Sequence, residues 1–167
     1  MLSNFKIDLQ TNEHNCCSSQ PKGKVECPKC NKKAKGVLGK TLQHLLISEA
    51  KANIFCLDGF YYCKTASCEV VYFRDDEILT QQEISVVVGL KAEADPATLC
   101  YCFNWTQEKI REEIALNGSS IALKDIKNKM NTIGCQCEIL NPSGGCCLGD
   151  VSEAIKNINL INTDTYS

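Results

Sequence analysis

No stretch of this 167-residue sequence comes near the roughly 18 consecutive apolar residues that a membrane-spanning helix needs. The opening MLSNFKIDLQTNEHN also lacks the apolar core of a secretory signal, so the sequence predicts a cytoplasmic protein with no direct membrane insertion. An excess of one charge is missing too. Lys and Arg number 18 and Asp and Glu 20, and a formal charge of −2 gives no basis for nucleic-acid or membrane-surface binding. Histidine is scarce: His14 and His44 stand outside any catalytic pattern, and there is no phosphate loop or nucleophile elbow. No catalytic residue and no enzyme activity are therefore expected. His44, in Thr41-Leu42-Gln43-His44-Leu45-Leu46, reads as a partly buried helix residue.

What the chain has instead is cysteine, thirteen of them. In a secreted protein they would suggest a disulfide scaffold, but the count is odd and the pairs lie too close in sequence to bridge each other easily. Dense, closely spaced cysteines in a reducing compartment point to metal.

The hydrophobic pattern changes part-way along the chain. From Cys27 to about Leu90 it is β-rich, with runs at Phe60-Tyr61-Tyr62, Val70-Val71-Tyr72-Phe73 and Ser85-Val86-Val87-Val88, and one helix predicted over Leu42–Ala52. After the polar segment ending at Pro96 the period becomes helical. Ile110 and Ile114 share a face ending at Asn117-Gly118. Leu123, Ile126, Met130 and Ile133 form a second stripe, with Ser120 as N-cap and Gly134 as stop. Leu148, Val151, Ile155 and Ile158 form a third. The expected class is α+β: a flexible tail (1–22), a β-rich lobe (23–95), a helical lobe (96–160) and a C-terminal tail (161–167). Lobes of this size commonly depend on a metal for stability.

Two cysteine groups fit metal sites. Cys27-Pro28-Lys29-Cys30 is a Cys-x-x-Cys knuckle, and Cys63 and Cys68 are separated by four residues between two predicted strands. Two tight turns that each supply two sulfurs suit a tetrahedral four-thiolate zinc site with no open position. The second group is Cys100-Tyr101-Cys102, Cys135-Gln136-Cys137 and Cys146-Cys147, the last following Asn141-Pro142-Ser143-Gly144-Gly145. Cysteines just ahead of helices gain thiolate character from the helix dipole. That environment suits an anionic [2Fe–2S] core, although spacing alone also admits a second zinc.

CPKC, FYYCKTASCEVVYF, CYCFNWT and CEILNPSGGCCLGDV, in that order from Cys27 to Val151, resemble the N-terminal domain of CopZ-type copper metallochaperones, within the wider iron–sulfur-binding metallochaperone group. The second half is also similar to bacterioferritin-associated-ferredoxin-type [2Fe–2S] domains. The resemblance implies zinc on Cys27, Cys30, Cys63 and Cys68. It implies a [2Fe–2S] cluster on Cys100, Cys102, Cys137 and Cys147, with Cys135 and Cys146 as alternates: the shared NPSG turn selects Cys137, whereas ferredoxin-type spacing favours Cys135. CopZ-type chaperones also carry a Met-x-Cys-x-x-Cys copper loop, which this sequence lacks. The adjacent Cys16 and Cys17 could hold Cu(I) or Hg(II) instead, or stand unligated as an exposed dithiol. The function implied is handling of soft metal ions, copper first and mercury second, with the cluster in a redox or sensing role. The implied partners are metal ions and a metal-transporting ATPase or other metal-handling protein. The alternative is a small ferredoxin-like electron-transfer protein with a purely structural zinc.

Overall fold

Short, lysine-rich strands begin the fold. In the computed structural model, which describes residues 23–164, Lys24–Glu26 (β1) and Lys33–Gly36 (β2) form an antiparallel hairpin with Val25 opposite Ala34. Cys16 and Cys17 lie outside the described residues. Three further strands follow: Tyr61–Tyr62 (β3), Tyr72–Arg74 (β4) and Glu77–Leu79 (β5). The five make an antiparallel sheet in the order β1-β2-β3-β4-β5. Alternation along β3 and β4 divides their aromatic residues between the two faces. Tyr62 and Tyr72 enter a core with Val37, Leu42, Leu46 and Phe60, while Tyr61 and Phe73 stack beside a smaller core made largely of cysteine.

The single helix expected over Leu42–Ala52 is two, Gly39–Leu45 (α1) and Ser48–Asn53 (α2). The break at Leu46 has a tertiary cause: Leu46 is extended, buried and bridged to Ile84, so pairing overrides helical continuity. His44 is exposed on α1 rather than partly buried. The Ser85–Val88 run is not a strand. Three of its polar backbone groups are satisfied by side chains: Gln81 Nε2 donates to Val86 O, Val88 N–H donates to Gln81 Oε1, and the Tyr101 hydroxyl donates to Val87 O, each at 2.8 Å.

In the second half, Thr98–Cys100 (β6) and Trp105–Thr106 (β7) form a two-stranded hairpin ahead of Gln107–Asn117 (α3). Thr106 caps α3 by accepting from Lys109 N–H, and Gly118 ends it with φ 73°, the left-handed conformation that glycine adopts without cost. Ala122–Ile133 (α4) starts one residue later than a Ser120 cap would give. The N-cap position is Ile121, although Ser120 Oγ still accepts from Ala122 N–H at 3.2 Å. Cys137–Leu140 (α5) and Leu148–Asp164 (α6) complete the chain. Ile110, Ile114, Ala122, Ile126, Val151 and Ile158 form the helical core, but Ile133 at the end of its stripe is exposed.

The halves pack against each other through α1 and α5. Thr41 Oγ1 donates to Glu138 O at 2.5 Å, the buried Tyr72 hydroxyl donates to Pro142 O at 2.6 Å, and Lys64 pairs with Asp150 at 2.9 Å. The architecture is α+β. No described helix is long and apolar enough to cross a membrane.

Candidate metal centres

Strand register brings the first four cysteines together. Cys27 directly follows β1 and Cys30 lies in the turn into β2, where Cys27 N–H donates to Lys32 O and Asn31 N–H to Cys27 O, both at 2.9 Å. Cys63 follows β3 and Cys68 precedes β4. Because β2 pairs antiparallel with β3, both turns lie at the same end of the sheet. Cys27 Sγ is 3.9 Å from Cys68 Sγ, Cys30 Sγ is 3.6 Å from Cys63 Sγ, and all four sulfurs lie within 4.8 Å of one another. Zn–S bonds of about 2.3 Å in a tetrahedron need sulfur–sulfur edges of about 3.8 Å, which the two short pairs match.

The surroundings favour a metal over free thiols. Burial pushes Cys68 up to about 12 and also raises Cys63. Burial acts on Cys30 in the same direction, but hydrogen bonds from the Thr65 hydroxyl and the Lys32 backbone, with the Cys63 and Cys27 thiols, outweigh it and bring Cys30 to about 6. A divalent ion at such a site would supply the charge that burial withholds from these sulfurs. Four thiol donors leave no place for a reacting water, the arrangement that structural zinc sites use. The Cys-x-x-Cys stands in a β-hairpin turn and not at a helix start, the setting thioredoxin-type redox chemistry requires.

The second group is arranged differently. Cys100 ends β6, and Cys102 lies in the β6–β7 turn, so neither directly precedes a helix and the dipole expectation fails for both. Cys137 opens α5, and Cys147 stands just before α6, where its carbonyl accepts from Val151 N–H at 3.0 Å. The sulfurs form two pairs. Cys102 and Cys137 Sγ are 3.7 Å apart, while Cys147 lies beside Cys100 and is the main cause bringing Cys100 to about 7. The Cys100 thiolate in turn pushes Cys147 far up, and burial followed by Cys102 raises Cys137 to about 12. Gln136 N–H donates to Cys102 Sγ at 3.3 Å. Cys100, Cys137 and Cys147 are buried and Cys102 partly so, whereas Cys135 and Cys146 are exposed. Among the described residues, only the Cys27 group has three or more donors mutually within 4.8 Å, so the second set does not converge on a single point.

A family model described as a zinc binding domain, zf_CopZ, matches residues 24–85, the span holding all four cysteines of the first group. The chain is CopZ-like. The Copper chaperone CopZ of Archaeoglobus fulgidus is 31% identical over 127 residues, covering 74% of this chain and 58% of that protein, so the CopZ-like chain spans less than two thirds of that relative's length. The X-ray structure of the Archaeoglobus fulgidus CopZ N-terminal domain superposes with a TM-score of 0.64 at 28% identity, over 77% of this chain and 96% of that domain. The likeness therefore extends beyond the zinc-binding span into the second cysteine group.

Two residues beside the first site carry no signal in the sequence. Thr65 lies 3.4 Å from Cys30 Sγ, and Lys91, in the polar segment expected to divide the lobes, reaches back to the Cys63–Val70 loop. Only the fold brings them there.

Proposed function

We propose that this chain is a metallochaperone-type protein that holds zinc structurally on Cys27, Cys30, Cys63 and Cys68 and a [2Fe–2S] cluster on Cys100, Cys102, Cys137 and Cys147. We take 23–95 as the zinc lobe and 96–160 as the cluster lobe. The observation that carries the reading is the contrast between the two cysteine sets: four sulfurs around one point in the first, two pairs in the second. One ion needs the first arrangement, and a binuclear core with two thiolates per iron suits the second. The exposure of Cys135 and Cys146 supports leaving both outside the ligand set.

The chain's residues would exclude water from three of the four cluster sulfurs and direct backbone N–H groups toward the set. Of these contacts the fold holds Gln136 N–H on the partly exposed Cys102 Sγ at 3.3 Å, and the backbone at Cys102, Phe103 and Cys147 favours thiolate at Cys100 and Cys137. When bound, a [2Fe–2S] group supplies one-electron chemistry, which suits redox sensing or the interconversion of copper cargo between Cu(II) and Cu(I). Cargo copper is a soft ion that thiolates carry as Cu(I). The relative's name and the zinc-binding span support the trafficking reading. A metal-transporting ATPase or another metal-handling protein would receive the ion.

A titration of the zinc- and iron-loaded chain with Cu(I) tests the function. Stoichiometric, tight uptake beyond the zinc and iron content is expected. No uptake would support a ferredoxin-like electron carrier with structural zinc.

A further inference from the structure

Lys91 is a half-buried cation with no carboxylate partner among the described residues. Its ammonium donates to three carbonyls of one loop: Cys63 O at 2.8 Å, Thr65 O at 3.0 Å and Val70 O at 2.7 Å. All three of its donors are used, and the acceptors run from the first cysteine of the Cys63–Cys68 pair to just beyond the second. Ala92 N–H adds a backbone bond to Ala66 O at 3.0 Å. The charge thus sits behind the loop that presents two of the four sulfurs, and it acts on Cys63, Cys68, Cys27 and Cys30.

Neutral carbonyls do not need a full charge to be satisfied; a neutral amide could donate to two of them. Burying an ammonium in part is costly unless something nearby repays it. Four thiolates around a divalent ion leave two negative charges in excess, and the loop-bound ammonium faces that excess. Groups around a metal site that fix its ligands and offset their charge commonly change metal affinity by about 10- to 100-fold when removed.

We propose that Lys91 is a positioning residue for the first metal site, holding the Cys63–Cys68 loop in its ligating shape while its positive charge offsets the thiolates. The inference rests on the zinc reading of that site. It also gives the segment expected to separate the two lobes a part in metal binding.

The test uses the full chain, loaded with zinc and competed against a chelator, as the parent and as Lys91→Arg, Lys91→Gln and Lys91→Met. Far-UV circular dichroism checks the fold of each. Lys91→Arg keeps the charge and should hold zinc within a few-fold of the parent. Lys91→Gln keeps a donor and loses the charge, and should release zinc about 10- to 100-fold more readily. Lys91→Met should be at least as weak, and if it fails to fold, Lys91→Gln carries the comparison. Lys91→Gln has two donors on a shorter stem, so its loss of zinc counts toward the charge role only where circular dichroism shows the fold intact and Lys91→Arg holds zinc. Zinc affinity in Lys91→Gln equal to the parent's overturns the charge role. Affinity in Lys91→Arg as poor as in Lys91→Gln overturns it too. A parent chain that takes up no zinc, or binds it without four thiolates by cobalt substitution, overturns the zinc reading and this inference with it.

Discussion

A two-residue offset decides whether Cys135 or Cys137 faces the second site, and spacing favoured one while the NPSG turn favoured the other. The fold separates them physically. Cys137 is buried with its sulfur 3.7 Å from Cys102, while Cys135 is exposed just after Gly134, whose φ of 78° ends α4. The same contrast separates buried Cys147 from exposed Cys146. Cys137→Ala and Cys147→Ala should bleach or strongly shift the visible absorption of the purified protein. Cys135→Ala and Cys146→Ala should leave it nearly intact. The reverse pattern would mean that the exposed thiols are the ligands. At this scale the grouping of Cys27, Cys30, Cys63 and Cys68 was legible from the sequence, whereas the sulfur-by-sulfur pairing, Thr65 and Lys91 were not, because each depends on loops closed only in the folded chain.

Among the elements, the Asn141–Gly145 turn shows how local chemistry becomes tertiary geometry. Asn141 Oδ1 accepts from Ser143 N–H at 3.0 Å, Asn141 Nδ2 donates to Gly145 O at 2.9 Å, and Gly144 takes φ 63°. The turn is held against the sheet by the Tyr72 hydroxyl on Pro142 O. Tyr72→Phe leaves that carbonyl without its donor in a buried place, so urea denaturation should show a loss of about 1–3 kcal/mol. At Gly144 a Cβ would meet Thr41 Oγ1 at 3.1 Å on top of the left-handed φ, and Gly144→Ala should cost about 1–2 kcal/mol in the same assay. The helical half was readable because Ile110, Ile114, Ile126, Val151 and Ile158 recur at helical spacing and are core. The early strands were not. Lys24–Glu26, at the sheet edge, and Lys33–Gly36 beside it are short, lysine-bearing segments whose pairing depends on the cysteine knuckle between them and not on apolar alternation. The Val86–Val88 run misled in the other direction: β-branched residues there fill a loop whose backbone Gln81 and Tyr101 satisfy.

Across the whole molecule, the two cysteine groups are linked by more than chain continuity. Lys64, next to Cys63, pairs with Asp150 on α6, three residues after Cys147. The Tyr101 hydroxyl, between Cys100 and Cys102, donates to Val87 O and accepts from Gly89 N–H at 2.8 Å, and Lys91 two residues later grips the Cys63–Val70 loop. A sequence divided into two lobes suggests that Cys27→Ser would spare the visible bands. With these links the expected outcome is a loss of zinc together with fading of the bands at lower urea than in the parent, because a lobe that leans on its metal no longer braces its neighbour. Bands that fade at the parent's urea concentration would mean independent halves. The central claim, one tetrahedral thiolate ion beside one binuclear cluster, is tested most directly by elemental analysis and a visible spectrum of anaerobically purified protein. The account predicts a red-brown protein with about two irons and one zinc per chain. A colourless protein with about two zincs per chain would contradict it.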